Sequence, residues 1–226
     1  MMRSTDSKKS SSWCDVMTTE ETLRKQWLHL RERLEAKQLL AAVGGGLSLR
    51  IPGNQAMWFG YATDEAPQPM QFGAASGDGA IHAAAYAARS DAGAIAVGGG
   101  EFGRCLAEFG GAMPQAFDEQ ARHLGAMGPA ATELRELAPS LQEGGNVLLM
   151  NGRPVCLGMT ATRLALNAEL FEKCAKAYVL AVATGGRVRP LPWIVRRVAN
   201  GRLHKDEQRA TQRFAQGLLP EETKGY

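Results

Sequence analysis

The sequence is short of the residues that hold transition metals. Its four histidines, His29, His82, His123 and His204, stand apart, and none has another two, three or four positions away. No local ligand pair exists, so a transition-metal site built from sequence neighbours is not expected. Four cysteines, Cys14, Cys105, Cys156 and Cys174, are scattered without a C-x-x-C. That leaves reduced thiols in a reducing compartment, the cytoplasm or an organelle matrix. No apolar run approaches the roughly 20 residues that span a bilayer, so no membrane partner is expected. The net charge of +3 is too small to argue for nucleic acid by itself. No internal repeat is present. Met1–Ser12 carries Arg3, Lys8, Lys9 and several serines but no apolar core, which is not the pattern of a secretory signal. Asp6 counts against an organelle-targeting peptide, and residues 1–17 are expected to form a disordered or extended tail.

What is present begins with another blank. Ala94–Val97 reads as a buried strand, Glu101 onward as a helix, and between them lies Gly98-Gly99-Gly100. A strand end opening onto a helix is where α/β folds place ligands, yet no side chain here binds a metal or moves a proton.

Local patterns give the frame. A helix is expected from Thr18, with Glu21 as capping-box partner, to about Leu40, its stripe Leu23, Trp27, Leu30 and Leu34. Leu47–Ile51 and Met57–Tyr61 read as strands, and residues 62–77 as loop. A second helix follows Ser76 or Asp78, and a third carries Phe102, Cys105, Leu106 and Phe109. Phe117–Leu124 suits a short helix, and Thr132–Leu141 an exposed one. Asn151-Gly152 between two apolar runs is the strongest local cue, a β-hairpin over 146–157. Pro154 makes its second strand irregular, or an edge, at the start. A long helix runs from Thr160 to about Thr184, stopped by Gly185-Gly186. Helices bracketing short strands imply an α/β (α/β/α) fold, with helices on both faces of one mainly antiparallel sheet.

Four stretches carry a resemblance: Gly45–Arg50, Ser76–Asp91, Ala94–Gly100, and Asn146–Gly158 with the helix after it. Across about residues 20–190 the chain resembles the class II aldolase/adducin family, in order and spacing of elements. The resemblance implies a domain over 18–186 and leaves a basic C-terminal arm at 187–226. In that family one divalent cation, held by three histidines beside a carboxylate, acts as Lewis acid for an enediolate while the carboxylate moves the proton. Here the His-x-His falls on Val97 and Gly99. The third ligand falls on Gly152, or on Asn151 or Arg153 if the register slips, and Arg153 would repel a cation. The proton-moving Glu falls on Asp78, the phosphate-binding Asn on Gly46, and the paired serines on Ser76 and Gly77. No metal and no cofactor is therefore expected.

The remaining candidates have plain structural roles beside functional ones. Asp78 reads first as an N-cap and second as a residual acid/base, with His82 next to it. Backbone amides at Gly98–Gly100 could cradle an anion, and Gly45, Gly46 and Ser76 could join such a pocket, but the loop lacks the Lys and Ser/Thr of a P-loop. The cysteines suit core packing better than nucleophilic chemistry. In the arm, Arg189, Trp193, Ile194, Arg196 and Arg197 suit a contact surface. Three readings follow. The first is a catalytically inactive protein acting through protein contacts, with a homo-oligomer, a tetramer by resemblance, expected. The second is an aldolase-, epimerase- or dehydratase-type enzyme with a non-standard site on a small sugar phosphate or hydroxy-carbonyl compound. The third is a nucleic-acid module gripping phosphates through the arm.

Overall fold

The structure is a computed structural model that describes residues 7–143 and 145–222. Helix α1, Ser7–Ala36, passes through Thr18, so the start lies earlier than the capping-box pattern places it. Residues 1–6 of the expected tail lie outside the described residues. Leu23, Trp27, Leu30 and Leu34 are buried as one stripe, which fixes α1 on the sheet, and Trp27 Nε1 donates to Leu47 O at 2.9 Å.

Six strands form one sheet: β1 Gly46–Ile51, β2 Ala56–Tyr61, β3 Gln68–Gln71, β4 Ala94–Val97, β5 Val147–Met150 and β6 Arg153–Gly158. Their order is β3-β2-β1-β4-β6-β5, and every pairing is antiparallel. The expected α/β architecture holds. Strand β3 is a correction to the loop expected over 62–77, and it forms an edge where Pro69 needs no ladder bond on its free side. The β5–β6 turn has Asn151 and Gly152 at φ 50° and 72°, the paired left-handed residues of a two-residue hairpin. Strand β6 is interior rather than at an edge. Pro154 O accepts from Gly98 N at 3.0 Å, and proline has no N–H to return that bond, so the β4–β6 ladder stops there.

Alternation along the strands splits the core. Leu47, Leu49, Ala94, Ala96 and Cys156 face α1 and α6, Ala161–Ala183. Ile95, Val97, Leu148, Val155 and Leu157 face the side of Ile81, Ala85, Leu137 and Leu141, which belong to α2, Asp78–Ala88, and α5, Leu134–Glu143. The α5 stripe is thus buried, where the sequence suggests an exposed helix. The short α3, Glu101–Cys105, packs on α6, and α4, Asp118–His123, lies against α7, Trp193–Ala215. Thr160 caps α6 by accepting from Arg163 N at 3.1 Å.

Helix α7 is one continuous helix docked by its inner side, where Ala199, Leu203, Asp206, Ala210 and Phe214 are buried. Arg89 is its main anchor. Its guanidinium donates to Asp91, to Gly145 O, to Asn146 Oδ1 and, at 2.9 Å, to Glu207 on α7. Among the described residues no helix is long and apolar enough to cross a membrane.

Candidate functional site

The residues singled out in the sequence converge on one end of the sheet. Gly45, Gly46, Gly98 and Gly99 come together there with the start of α2 and of β6. Asp78 opens α2 at its first helical position, and Gly77, at φ 54°, holds the N-cap place that the sequence gives to Asp78. No side-chain cap bond forms. The Asp78 carboxylate is taken instead by Arg153 Nη2 at 2.6 Å. Arg153 also reaches Val43 O at 3.4 Å. A side-chain cation therefore lies on the Asp78 carboxylate, which the resemblance makes the counterpart of the family's proton carrier.

The glycines are closed in. A Cβ on Gly99 would come within 2.8 Å of Pro154 Cβ and Cδ, well inside van der Waals contact. One on Gly98 would lie 3.3 Å from Leu40 Cα and 3.4 Å from Gly45 Cα. Val97 is fully buried in the core. Gly152 has room, with only Ala107 Cβ at 3.8 Å, but its φ of 72° belongs to the hairpin turn. Ser76 is exposed. The helix start beside the expected cradle at Gly98–Gly100 is filled from within. Glu172 on α6 accepts from Phe102 N at 2.7 Å and from Gly103 N at 2.9 Å, and its Oε1 would lie 2.6 Å from a Cβ on Gly100. A carboxylate on helix-start amides is the arrangement an anionic ligand would otherwise provide. Glu172 lies too far along the chain from Phe102 for any motif to connect them.

His82 is wholly buried on α2. Gly93 O can only accept, so Tyr86 Oη donates to it at 3.5 Å. Ser48 Oγ then donates to Tyr86 Oη at 3.0 Å, and His82 Nδ1–H to Ser48 Oγ at 2.8 Å. This order leaves Nε2 with a lone pair, buried and without a hydrogen-bond partner, 3.4 Å from where a Cβ on Gly46 would stand. Phe59 packs edge-on against the ring at 5.0 Å. Burial pulls the His82 pKa down to about 3, with Asp78 opposing and Arg153 reinforcing. The imidazole is neutral at physiological pH.

The other titratable candidates sit in packing roles. His123 accepts from Arg163 Nη1 at 2.7 Å, and burial with Arg163 and Arg122 nearby lowers it to about 4. Burial raises the Cys156 thiol to about 12 and Cys174 to about 11, so neither is a thiolate nucleophile at neutral pH. Cys14 has no described side-chain surroundings. Among the described residues no three His, Cys, Asp or Glu side chains meet to hold a metal.

Several solved structures share this architecture. An L-fuculose 1-phosphate aldolase superposes with a TM-score of 0.67 at 20% identity, over 81% of this chain and 96% of its own. L-fuculose 1-phosphate aldolase from Glaciozyma antarctica PI12 gives 0.70 at 16% identity, over 89% and 90%. An aldolase II superfamily protein from Pseudomonas syringae gives 0.63 at 13% identity, over 88% and 94%. This chain has the class II aldolase fold. No protein-family model matches the sequence, and no curated protein matches it significantly.

The divalent cation implied by that fold does not fit the residues present. By the resemblance, two of the donor positions fall on Val97, in the core, and on Gly99, backed by the Pro154 ring. The third lies in a hairpin turn, next to an arginine that is spent on the nearby carboxylate. No reaction step through a cation is derived for this chain.

Proposed function

We propose that this protein is a catalytically inactive member of the class II aldolase fold, serving as a structural or interaction subunit through protein–protein contacts. The observation that carries this reading is the filling of the strand-end site from within. Pro154 stands where a Gly99 side chain would go, and Arg153 neutralises Asp78. A substrate at this place would compete with the Pro154 ring and with the partly buried Arg153–Asp78 ion pair, and among the described residues no cluster of side chains stands ready to hold a Lewis acid. Self-association is part of the proposal, carried by the likeness to a fold whose members are often oligomers.

One observation favours the enzyme reading. His82 Nε2 is a neutral lone pair close to Asp78, the kind of group that could accept a proton. The test is turnover of L-fuculose 1-phosphate and small hydroxy-carbonyl compounds by the purified chain, with and without added zinc, cobalt or manganese. The inactive reading expects no product above the blank. Turnover that disappears in His82→Gln or Asp78→Asn would establish the enzyme instead.

A further inference from the structure

Helix α7 is divided by charge. In its C-terminal half, Asp206 pairs with Arg122 at 2.8 Å and Arg209 at 3.5 Å, Glu207 with Arg89 and His204, and Arg213 with Glu221. The stretch before it, residues 187–205, contains Arg187, Arg189, Arg196, Arg197, Arg202 and Lys205 and no acidic residue. None of these six makes an ion pair among the described residues. All but the half-buried Arg196 are exposed.

The same stretch holds three large apolar side chains in solvent: Trp193 at 66%, Ile194 at 57% and Val198 at 56% exposure. Ile194 and Val198 are four residues apart, as are Trp193 and Arg197, so the pairs stand as neighbours on the helix surface. They lie away from the buried stripe of Ala199, Leu203, Asp206, Ala210 and Phe214. The surface is also fixed. Leu191 N donates to Gln115 O at 2.8 Å, and Gln115 Nε2 donates to Asn200 Oδ1 at 2.9 Å. The backbone part of the ordering cost is met before any partner arrives.

We infer that the outward face of Trp193–Lys205 docks an acidic protein surface that offers an apolar recess for Trp193. This rests on the proposed interaction role and names its face and its partner's chemistry. An uncompensated cationic field selects a partner of opposite sign. Three of the four cations of Trp193–Lys205 are arginine, and arginine with tryptophan is the composition of protein interface centres, where lysine is depleted. Ile194 and Val198 add aliphatic area that neither stacks on a base nor reads a phosphate, which favours a protein over RNA. The same face of a second copy carries the same cations, so a two-fold pairing of this face with itself is disfavoured.

The test uses the full chain and three fluorescent probes: a short amphipathic helical peptide with Glu on one face and Leu and Phe on the other, oligouridine RNA, and vesicles of phosphatidylserine in phosphatidylcholine. Binding is followed at low and near-physiological salt. The peptide is expected to bind most tightly and to weaken as salt rises. Charge reversal of the exposed pair, Arg197→Glu with Arg202→Glu, and separately Trp193→Ala, should each weaken it about tenfold or more without lowering the melting temperature. The proposal is overturned if RNA or vesicles bind more tightly than the peptide, if the variants bind as well as the parent, or if the peptide does not bind at low salt. Those results leave the inactivity of the strand-end site untouched. Turnover would remove that reading while leaving the peptide measurement to stand alone.

Discussion

The strand-end cleft and the outer face of α7 treat space and charge in opposite ways. In the cleft, what a ligand would use is already used by the chain. Pro154 fills the space at Gly99, Glu172 takes the amides of α3, and Arg153 holds Asp78. On the outer face of α7, Trp193 and Ile194 stand in water, and their neighbouring cations make no ion pair among the described residues. The contrast locates the binding energy still available to this molecule. A satisfied cleft must lose contacts before it gains any, whereas an ordered and uncompensated surface loses little.

Substitutions that separate these regions have effects of graded size. The largest belongs to Arg89, which joins the sheet to the inner side of α7. Arg89→Met leaves Asp91 and Glu207 without their cation and should cost about 3–5 kcal/mol in denaturant unfolding. A loss below about 1 kcal/mol would mean that α7 does not depend on this anchor. Next is Gly99→Ala, which places a methyl against Pro154 at φ 71° and should cost about 2–4 kcal/mol. Pro154→Ala in the same chain should recover part of that loss. Strict additivity in the double-mutant cycle would show that the proline does not close the site.

Acid should follow. His82 is neutral in the fold with a pKa near 3, against about 6.5 when unfolded. The unfolded chain therefore binds the extra proton, and the stability from this group is complete above pH 6.5 and falls as pH drops towards 3. Between pH 6.5 and 4.5 the loss should be about 2–3 kcal/mol, read as a falling unfolding midpoint. His123, lowered to about 4, adds in the same direction. His82→Gln should flatten this limb, and an unchanged slope would contradict the buried neutral imidazole. Asp78→Asn, at a partly exposed ion pair, should cost about 1 kcal/mol. Trp193→Ala should stay within about 0.5 kcal/mol, and a larger loss would mean that Trp193 supports the fold rather than a surface.

Much of the frame was legible because its signals are local. Asn151-Gly152 between apolar runs identifies the hairpin, and Thr160 with Gly185-Gly186 bounds α6. Strand β3 escaped because it is short and exposed, with Pro67 and Pro69 reading as loop. Docking of α7 was not visible, and residues 187–226 read as a basic arm. Its buried stripe includes Asp206, which reads as polar surface until Arg122 and Arg209 are found beside it. At the site, order and spacing single out Asp78, Gly99 and Gly152 only through the resemblance. The partners that fill them could not be read. Arg153 lies 75 residues from Asp78, and Glu172 lies 70 from Phe102, and no periodicity relates such pairs. Arg153 reads alone as a cation that repels metal, and only the fold shows it bonded to the carboxylate.

The central claim is that the cleft of this aldolase fold is closed by its own side chains. Native mass spectrometry of the full chain after exposure to excess zinc and dialysis tests it most directly. The account predicts intact chains or oligomers that retain no cation. One zinc retained per chain, and lost in Asp78→Asn, would contradict it.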